Sequence, residues 1–371
     1  MLRWGVRRLL LALCVFGCAG RYPDARRFAD ELPAIAGLPA EPPQCVVAGH
    51  VHTIVSDRYS HAPVPANAAY AYSAAGLRAA IAAFAGDGVD AIIVSDHNST
   101  AANFDPAVAT APLAVIPAME WTTRRGHALL IGFRMHGPDD AILPPPWRGS
   151  VGRGDFLAMV ARTRARGGLV IVAHPRVPFR TWPDDTFGAD GVEVWGFDKW
   201  FMRNRQAVRW WHERLRRGER LVALAGTDLH PGAWLRSHRH PLNRALAGSC
   251  DADAVMTAIR RGRAVLVKGV GSPRVIVGVE TGGAIDFADG GPGDAVALPA
   301  TNVFEMQVRV LGGAGGRVRV LGAAGELFAA DVEGEDQALR LRVRARVGEF
   351  VRVELHRGRR LLALANPVYL R

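Results

Sequence analysis

Two histidines one residue apart, His50 and His52, follow the apolar run Cys45-Val46-Val47-Ala48, and Asp57 comes five residues after them. On a strand, residues i and i+2 point to the same face, so the two imidazoles are expected side by side. The pattern recurs along the chain. Asp96 and His97 follow an apolar run over 91–94, and Glu120 closes one over 113–119. His127 opens the run over 128–133. His174 follows the run over 169–172, and Asp228 and His230 follow the run over 221–225. Each residue alone has an ordinary structural reading: a hydrogen-bonded histidine, a capping glutamate, an aspartate in a turn. Together they place six of the twelve histidines, with several carboxylates, beside strand ends. Neutral imidazole and carboxylate are ligands for divalent metal ions, so the set points to a metal centre. His61, His136, His212, His238, His240 and His356 keep the ordinary reading. His238 and His240 repeat the opening spacing without a strand before them and are expected in a solvated loop.

Scattered ligands need a fold that gathers them. Between the apolar runs lie helical stretches over 73–85, 155–166, 201–217 and 252–261, and a last apolar run covers 264–267. Strands alternating with helices predict a parallel α/β fold, here a barrel rather than an open sheet. In such barrels the carboxyl ends of the strands meet on one rim, where active sites lie. From about residue 272 the pattern changes to period two with glycine-rich turns, over 303–311, 316–321, 338–347 and 350–355. This predicts a small C-terminal antiparallel β-sandwich-like domain over 272–371, with no catalytic constellation of its own.

Composition sets wider bounds. The 371 residues are 49% hydrophobic and 22% charged, which excludes a disordered chain and suffices for a large domain and a smaller one. The net charge of +11 is almost all arginine, without a long basic block or an alternation of aromatic and basic residues. A nucleic-acid partner is therefore open but not favoured. At the start, Arg3, Arg7 and Arg8 precede the apolar stretch 9–17, as in a secretory signal peptide. The stretch is too short to span a bilayer as an ordinary helix. Val15-Phe16-Gly17-Cys18 resembles a bacterial lipobox, which implies cleavage before Cys18 and a lipid on its sulfur. Residues 1–18 are thus expected to be a signal segment. Residues 19–43, rich in proline and alanine, are expected to be a tether, and the protein is placed in the bacterial cell envelope, periplasmic and lipid-anchored at Cys18. Cys45 and Cys250 remain in the body, and the sequence leaves their pairing open.

The stretches GHVHTIVSD, IIVSDHN, PAMEWTTRRGH, VIVAHP and ALAGTDLH resemble, in this order, the motifs of the polymerase-and-histidinol-phosphatase (PHP) family of metal-dependent phosphoesterases. The resemblance covers about 46–269 and implies a distorted (β/α)7 barrel over 44–271. It implies two or three divalent ions, of manganese, zinc or iron, held by His50, His52, Asp57, His97, Glu120, His127, His174, Asp228 and His230. Glu120 would bridge two of them. It further implies hydrolysis of a phosphate ester by a metal-bridging hydroxide, with Asp57, Glu120 and His230 as catalytic groups and a phosphorylated small molecule as substrate. Arg58 stands where the family commonly has glycine. Arg58, Arg125 and Arg176 are candidate phosphate clamps, because the guanidinium fork suits phosphate. Asp96 is expected to orient a ligand histidine. Two other readings stay open: a metal-binding envelope lipoprotein without catalysis, and a nuclease of the same fold.

Overall fold

A computed structural model of the chain describes residues 29–33, 41–53, 74–123, 125–137, 151–175, 188–196, 201–230, 240–281, 284–287 and 289–371. Residues 1–28, most of the segment read as signal and tether, lie outside these, as do Asp57, Arg58 and Arg176. Among the described residues no helix is long and apolar enough to cross a membrane.

The first strand, β1 (Ala29–Leu32), is followed by β2 (Cys45–Val51), α1 (Ala74–Gly86), β3 (Ala91–Val94), β4 (Ala114–Thr122), β5 (His127–Ile131), α2 (Arg153–Ala165), β6 (Leu169–Val172) and β7 (Gly191–Trp195). Then come α3 (Phe201–Arg216), β8 (Val222–Ala225), β9 (Leu242–Ala245), α4 (Ala252–Arg261) and β10 (Ala264–Val267). Strands β9-β2-β3-β4-β5-β6-β7-β8 lie side by side in that order and form a curled, half-barrel sheet. Every residue of β2, β3, β6, β7 and β10 is buried. That is why these runs read as continuous apolar strands: both faces are covered.

The sheet is mixed rather than wholly parallel. β5 runs antiparallel to both β4 and β6, and β9 runs antiparallel to β2. The reversal explains why His127 opens its strand while the other histidines lie near or beyond the ends of theirs. In an antiparallel neighbour the first residue lies level with the last residues of the strand beside it, and His127 pairs with Thr122.

Among the described residues, β8, the last strand of this series, has no ladder on its outer side, and two asparagines take the place of one. Asn243 accepts from the Ala225 N–H at 2.8 Å and donates to the Ala225 carbonyl at 2.8 Å. Asn366 does the same for Ala223, at 2.7 and 3.0 Å. Both asparagines are buried. Their amides imitate the donor and acceptor of a neighbouring strand, which a buried backbone requires. Farther along, Thr227 N–H donates to the Gly49 carbonyl, and His52 N–H to that of Leu229, so the chain after β8 meets the end of β2.

Local signals set the helix ends. Asp251 caps α4 by accepting from the Ala254 N–H, and Gly262 ends it in the left-handed conformation at φ 74°. Cys250, just before that cap, forms a disulfide with Cys45 at the start of β2, with Cα atoms 5.5 Å apart. The bridge closes a loop of 205 residues, for which the chain-entropy model gives a stabilisation of roughly 5 kcal/mol.

The second half comprises β11 (Arg274–Thr281), β12 (Ala284–Asp286), β13 (Ala295–Val296), β14 (Val303–Leu311), β15 (Gly316–Gly322), β16 (Gly325–Val332), β17 (Asp336–Arg344), β18 (Phe350–Arg357), β19 (Arg360–Ala365) and β20 (Val368–Leu370). One sheet has the order β1-β17-β14-β11-β12 and is antiparallel throughout. The second joins β13, β20, β18 and β19, with β15 and β16 attached at β18.

Two features differ from the expectation of a separate sandwich and a tether. The second sheet does not stop at the domain boundary: β19 pairs antiparallel with β10, Leu266 opposite Leu364, so it is continuous with the curled sheet. And β1, inside the segment read as a tether, pairs with β17 from Ala29↔Val343 to Leu32↔Arg340. Short, followed directly by Pro33 and half exposed, β1 carries little of the apolar alternation by which a strand is recognised.

His212 on α3 provides a test of the packing between α3 and β18. Its Nδ1 accepts from Arg352 Nε at 3.2 Å, and its ring meets Phe350 edge-on. Burial, and then the Arg352 guanidinium, lower its pKa from 6.5 to about 4. A base harder to protonate in the folded state contributes fully above pH 6.5 and loses that contribution as pH falls toward 4. The amount at stake is on the order of 2–3 kcal/mol. His212→Asn keeps an acceptor for Arg352, and its denaturation midpoint should change less than that of the wild type between pH 7 and 4.5. Separately, Asn243→Ala orphans two buried backbone groups of Ala225 and should lower unfolding free energy by about 2–4 kcal/mol in denaturant titrations.

Candidate metal centre

The site is assembled from the ends of β2, β3, β4, β6, β7 and β8 and the beginning of β5. His50 and His52 do not stand one pleat apart on a regular strand, as their spacing predicts. The β2–β3 register shifts between Ala48 and Val51, and His50 adopts φ 58°. The histidines still converge, with ring centroids 4.8 Å apart, but through a bulge and a left-handed residue rather than through a regular pleat. Gly49 is required there, since a Cβ would lie 2.5 Å from the Ala225 carbonyl oxygen. His174 and Asp228 also have positive φ, 27° and 48°. Three non-glycine residues in the left-handed region within one site mark it as a place where backbone strain is tolerated for geometry.

Glu120, wholly buried, is the hub. Its Oε1 lies 2.7 Å from His127 Nδ1, 3.1 Å from His174 Nε2 and 3.5 Å from His50 Nε2. Its Oε2 lies 2.5 Å from His97 Nδ1 and 3.6 Å from His52 Nε2. Asp228 Oδ1 lies 3.1 Å from His52 Nε2, 3.5 Å from His50 Nε2 and 3.6 Å from His230 Nε2. The His52 and His230 rings stack at 4.2 Å. All eight described members of the sequence-derived ligand set are thus in mutual reach: His50, His52, His97, Glu120, His127, His174, Asp228 and His230.

Supporting groups fix these side chains. Asp96 accepts from both the N–H and the hydroxyl of Thr53, at 2.6 and 2.7 Å, and so anchors the residue after His52. His97 Nδ1 also lies 2.6 Å from Thr122 Oγ1. Asn98 spans Thr122 with both ends of its amide, which locks the end of β3 to that of β4.

Glu193 was not among the residues singled out from sequence, yet it belongs to the cluster. Its Oε1 lies 2.9 Å from His50 Nδ1, and its Oε2 accepts from the His174 N–H at 2.8 Å. One carboxylate therefore orients one histidine ring and the backbone of another. Gly226 makes the space, because a Cβ there would fall 1.4 Å from Glu193 Oε1. The available signal was a lone charge inside Gly191–Trp195, a strand otherwise of glycine, valine and tryptophan.

Charge explains the protonation pattern. Burial opposes ionisation of Glu120, yet His127, His50 and His97 hold its carboxyl well below the usual range. Burial likewise opposes the charge on Asp228, and His50 with the hydrogen bonds from His230 and His52 outweighs it. Burial would lower His50, but Glu193, Glu120 and Asp228 raise it well above its ordinary value. His174 is raised against burial by its hydrogen bond to Glu120 and by Asp228. Burial wins at His52, lowered to about 3, and it also lowers His127.

The donors fit divalent ions. Four triplets have ligand atoms within 4.8 Å of one another: His52-His97-His230, His50-His174-Glu193, His50-His52-Glu120 and His97-Glu120-His127. His50 Nε2 and His174 Nδ1 are buried without a hydrogen-bond partner among the described residues. Orphaned ring nitrogens beside carboxylates cost free energy unless a cation completes them.

The other expectations fared differently. Arg125 is exposed in the β4–β5 turn, where its Nη1 donates to the Val151 carbonyl at 3.2 Å. His240, expected in a solvated loop, is only 4% exposed, whereas His238 lies outside the described residues. His356, read as ordinary, lies 2.8 Å from a Glu354 oxygen.

No family model and no curated protein matches the chain. Among solved structures it is similar to a two-domain protein from Bacteroides vulgatus that contains a predicted PHP-like metal-dependent phosphoesterase. The identity is 11% and the TM-score 0.44, over 88% of this chain and 96% of that one. It is also similar to a Bifidobacterium adolescentis protein assigned as a metal-dependent phosphoesterase, at 16% identity and TM-score 0.32, over 59% of this chain and 96% of that one. A Chromobacterium violaceum amidohydrolase, solved with sulfate and no metal, is 15% identical at TM-score 0.34, over 50% of this chain and 88% of that one.

Glu193→Ala should leave the His50 ring unoriented and lower divalent-metal affinity about 10–100-fold, as loss of a residue behind a ligand does. Metal content after dialysis would report it. Gly226→Ala should reproduce the loss by displacing Glu193, and Glu193→Gln should recover part of it.

Proposed function

We propose that the chain is a metal-dependent phosphoric ester hydrolase. The observation that carries this reading is the buried Glu120 carboxylate within 3.6 Å of five imidazoles, with Asp228 facing three. Such a set has more metal-binding capacity than a structural site of four ligands needs. His50, His52, His97, His127, His174, His230, Glu120 and Asp228 would hold two or three divalent ions, with Asp57 as a further ligand. When bound, such ions supply Lewis acidity toward a phosphoryl oxygen and bring the pKa of water near neutrality.

The protein's own residues set the direction of approach. Glu120 and His50 are sealed from solvent, whereas the side chains of His230 and Asp228 are 40% and 37% exposed. Substrate therefore meets the site over the β8 end. His230, the most open imidazole, is placed to hand a proton to the departing oxygen, aided by Asp57. Glu120 keeps its charge in the pH range of interest and so holds the surrounding imidazoles in place rather than exchanging protons with solvent. Arg58 and Arg176 would grip the phosphate, with Arg125 at the margin of the site.

Export belongs to the same reading: a signal segment over 1–18, a lipid at Cys18 and a place in the periplasm. The Cys45–Cys250 bridge supports an oxidising compartment. The substrate class that suits a centre of this size is a phosphorylated small molecule.

The test is cleavage of generic phosphate mono- and diesters by the full chain reconstituted with manganese or zinc. Glu120→Gln and His174→Ala should each lower turnover by about 100-fold, since each removes a ligand of the ions whose Lewis acidity the reaction would need. Cleavage indifferent to metal and to both substitutions would sink the proposal.

A further inference from the structure

Away from the metal centre, a cavity of about 800 Å3 opens between α3 and the β18–β19 hairpin, with Lys268 at the end of β10 beside it. Its walls are basic. Arg205 and Arg209 come from α3, and Arg359 and Arg360 from the hairpin tip. The acid in the lining is Glu354, and its charge is already matched: Arg352 donates to it at 2.6 Å, Arg319 at 3.2 Å, and His356 lies 2.8 Å away. Among the described residues, Arg209, Arg359 and Arg360 are exposed and have no carboxylate partner. Like charges gathered in a concave, partly apolar space repel one another, and an anion entering it relieves that repulsion. The floor is apolar, from Val208, Leu361 and Trp195. The volume lies within the range of small-molecule sites.

We propose that this cleft is a second ligand site, for a small molecule bearing two or more phosphate groups. Arg209 reaches it from one wall and Arg359 and Arg360 from the other. Guanidinium groups present paired donors that match phosphate oxygens two at a time, and forks on opposite walls suit separate phosphates. Val208 and Leu361 would carry the non-polar part of the ligand. Apart from Trp195 of β7 the lining comes from outside the curled sheet, and it includes none of the metal-centre side chains, so the site stands whether or not that centre hydrolyses phosphate esters.

The experiment is titration calorimetry of the full chain with inorganic pyrophosphate, as purified and after dialysis against a chelator, so that binding at the metal centre is separated. Saturable binding is expected in both states. It should weaken at least about tenfold in Arg209→Glu/Arg360→Glu, since charge-assisted hydrogen bonds are lost. Arg209→Gln/Arg360→Gln should weaken it in the same direction with an unchanged thermal melting curve, and Glu120→Gln should keep it. No binding after chelation, or binding indifferent to both double variants, overturns the proposal. Citrate binding as tightly as pyrophosphate would overturn the assignment to phosphate. A single-stranded oligonucleotide binding more tightly, with the same arginine dependence, would overturn the assignment to a small molecule.

Discussion

A carboxylate without solvent must be compensated, and Glu120 shows what that demands of a fold. Removing such a charge from water costs several kcal/mol unless partners surround it closely. Here the partners are imidazoles from strands far apart in sequence: His50 in β2 and His52 just after it, His97 after β3, His127 from β5 and His174 after β6. The sheet must curl for these ends to meet around one group. The raised His50 and His174 and the depressed Glu120 and Asp228 describe one balance: protons occupy positions that a divalent cation would take over. An ion binding there would release protons, and it would be held less tightly as the solution becomes more acidic.

Holding that many ligands requires local sacrifices. His50, His174 and Asp228 leave the ordinary backbone regions, and the bulge in β2 interrupts its ladder with β3. Gly49 and Gly226 give up side chains so that a carbonyl and a carboxylate can fill the space. These costs are bearable because the surroundings are rigid. β2, β3, β6 and β7 are buried along their whole lengths, and the Cys45–Cys250 bridge fastens β2 to the start of α4. A strained residue persists when its neighbours leave it no alternative.

The C-terminal sheets are part of the same rigidity. The β10–β19 ladder carries hydrogen bonding from the curled sheet into the sandwich, and Asn366, just after β19, satisfies Ala223 of β8. One side of the sheet that carries the histidine–carboxylate cluster is thus finished by a residue of the second half. The continuity also forms the arginine-lined cleft, since α3 belongs to the first half and the β18–β19 hairpin to the second.

Periodicity made the strand–helix order readable, because buried strands and amphipathic helices leave different apolar patterns in the chain. The histidines after those strands could be picked out for the same reason, since polar residues interrupting apolar runs are conspicuous. Direction was not readable: an apolar run is the same whether its strand runs parallel or antiparallel, so β5 and β9 had no signature. The pairing of Cys45 with Cys250 depended on a Cα separation, which spacing along the chain does not encode. Glu193 was hidden because one charge in a short strand has meaning only once Gly226 and His50 stand beside it. The edge strand β1 was hidden because its partner β17 is about three hundred residues away along the chain, and two of its own four residues are charged. Residue types thus determined which groups were able to bind metal. Only the curl of the sheet, by bringing distant strand ends together, decided that they meet around Glu120 and which neighbours hold them there.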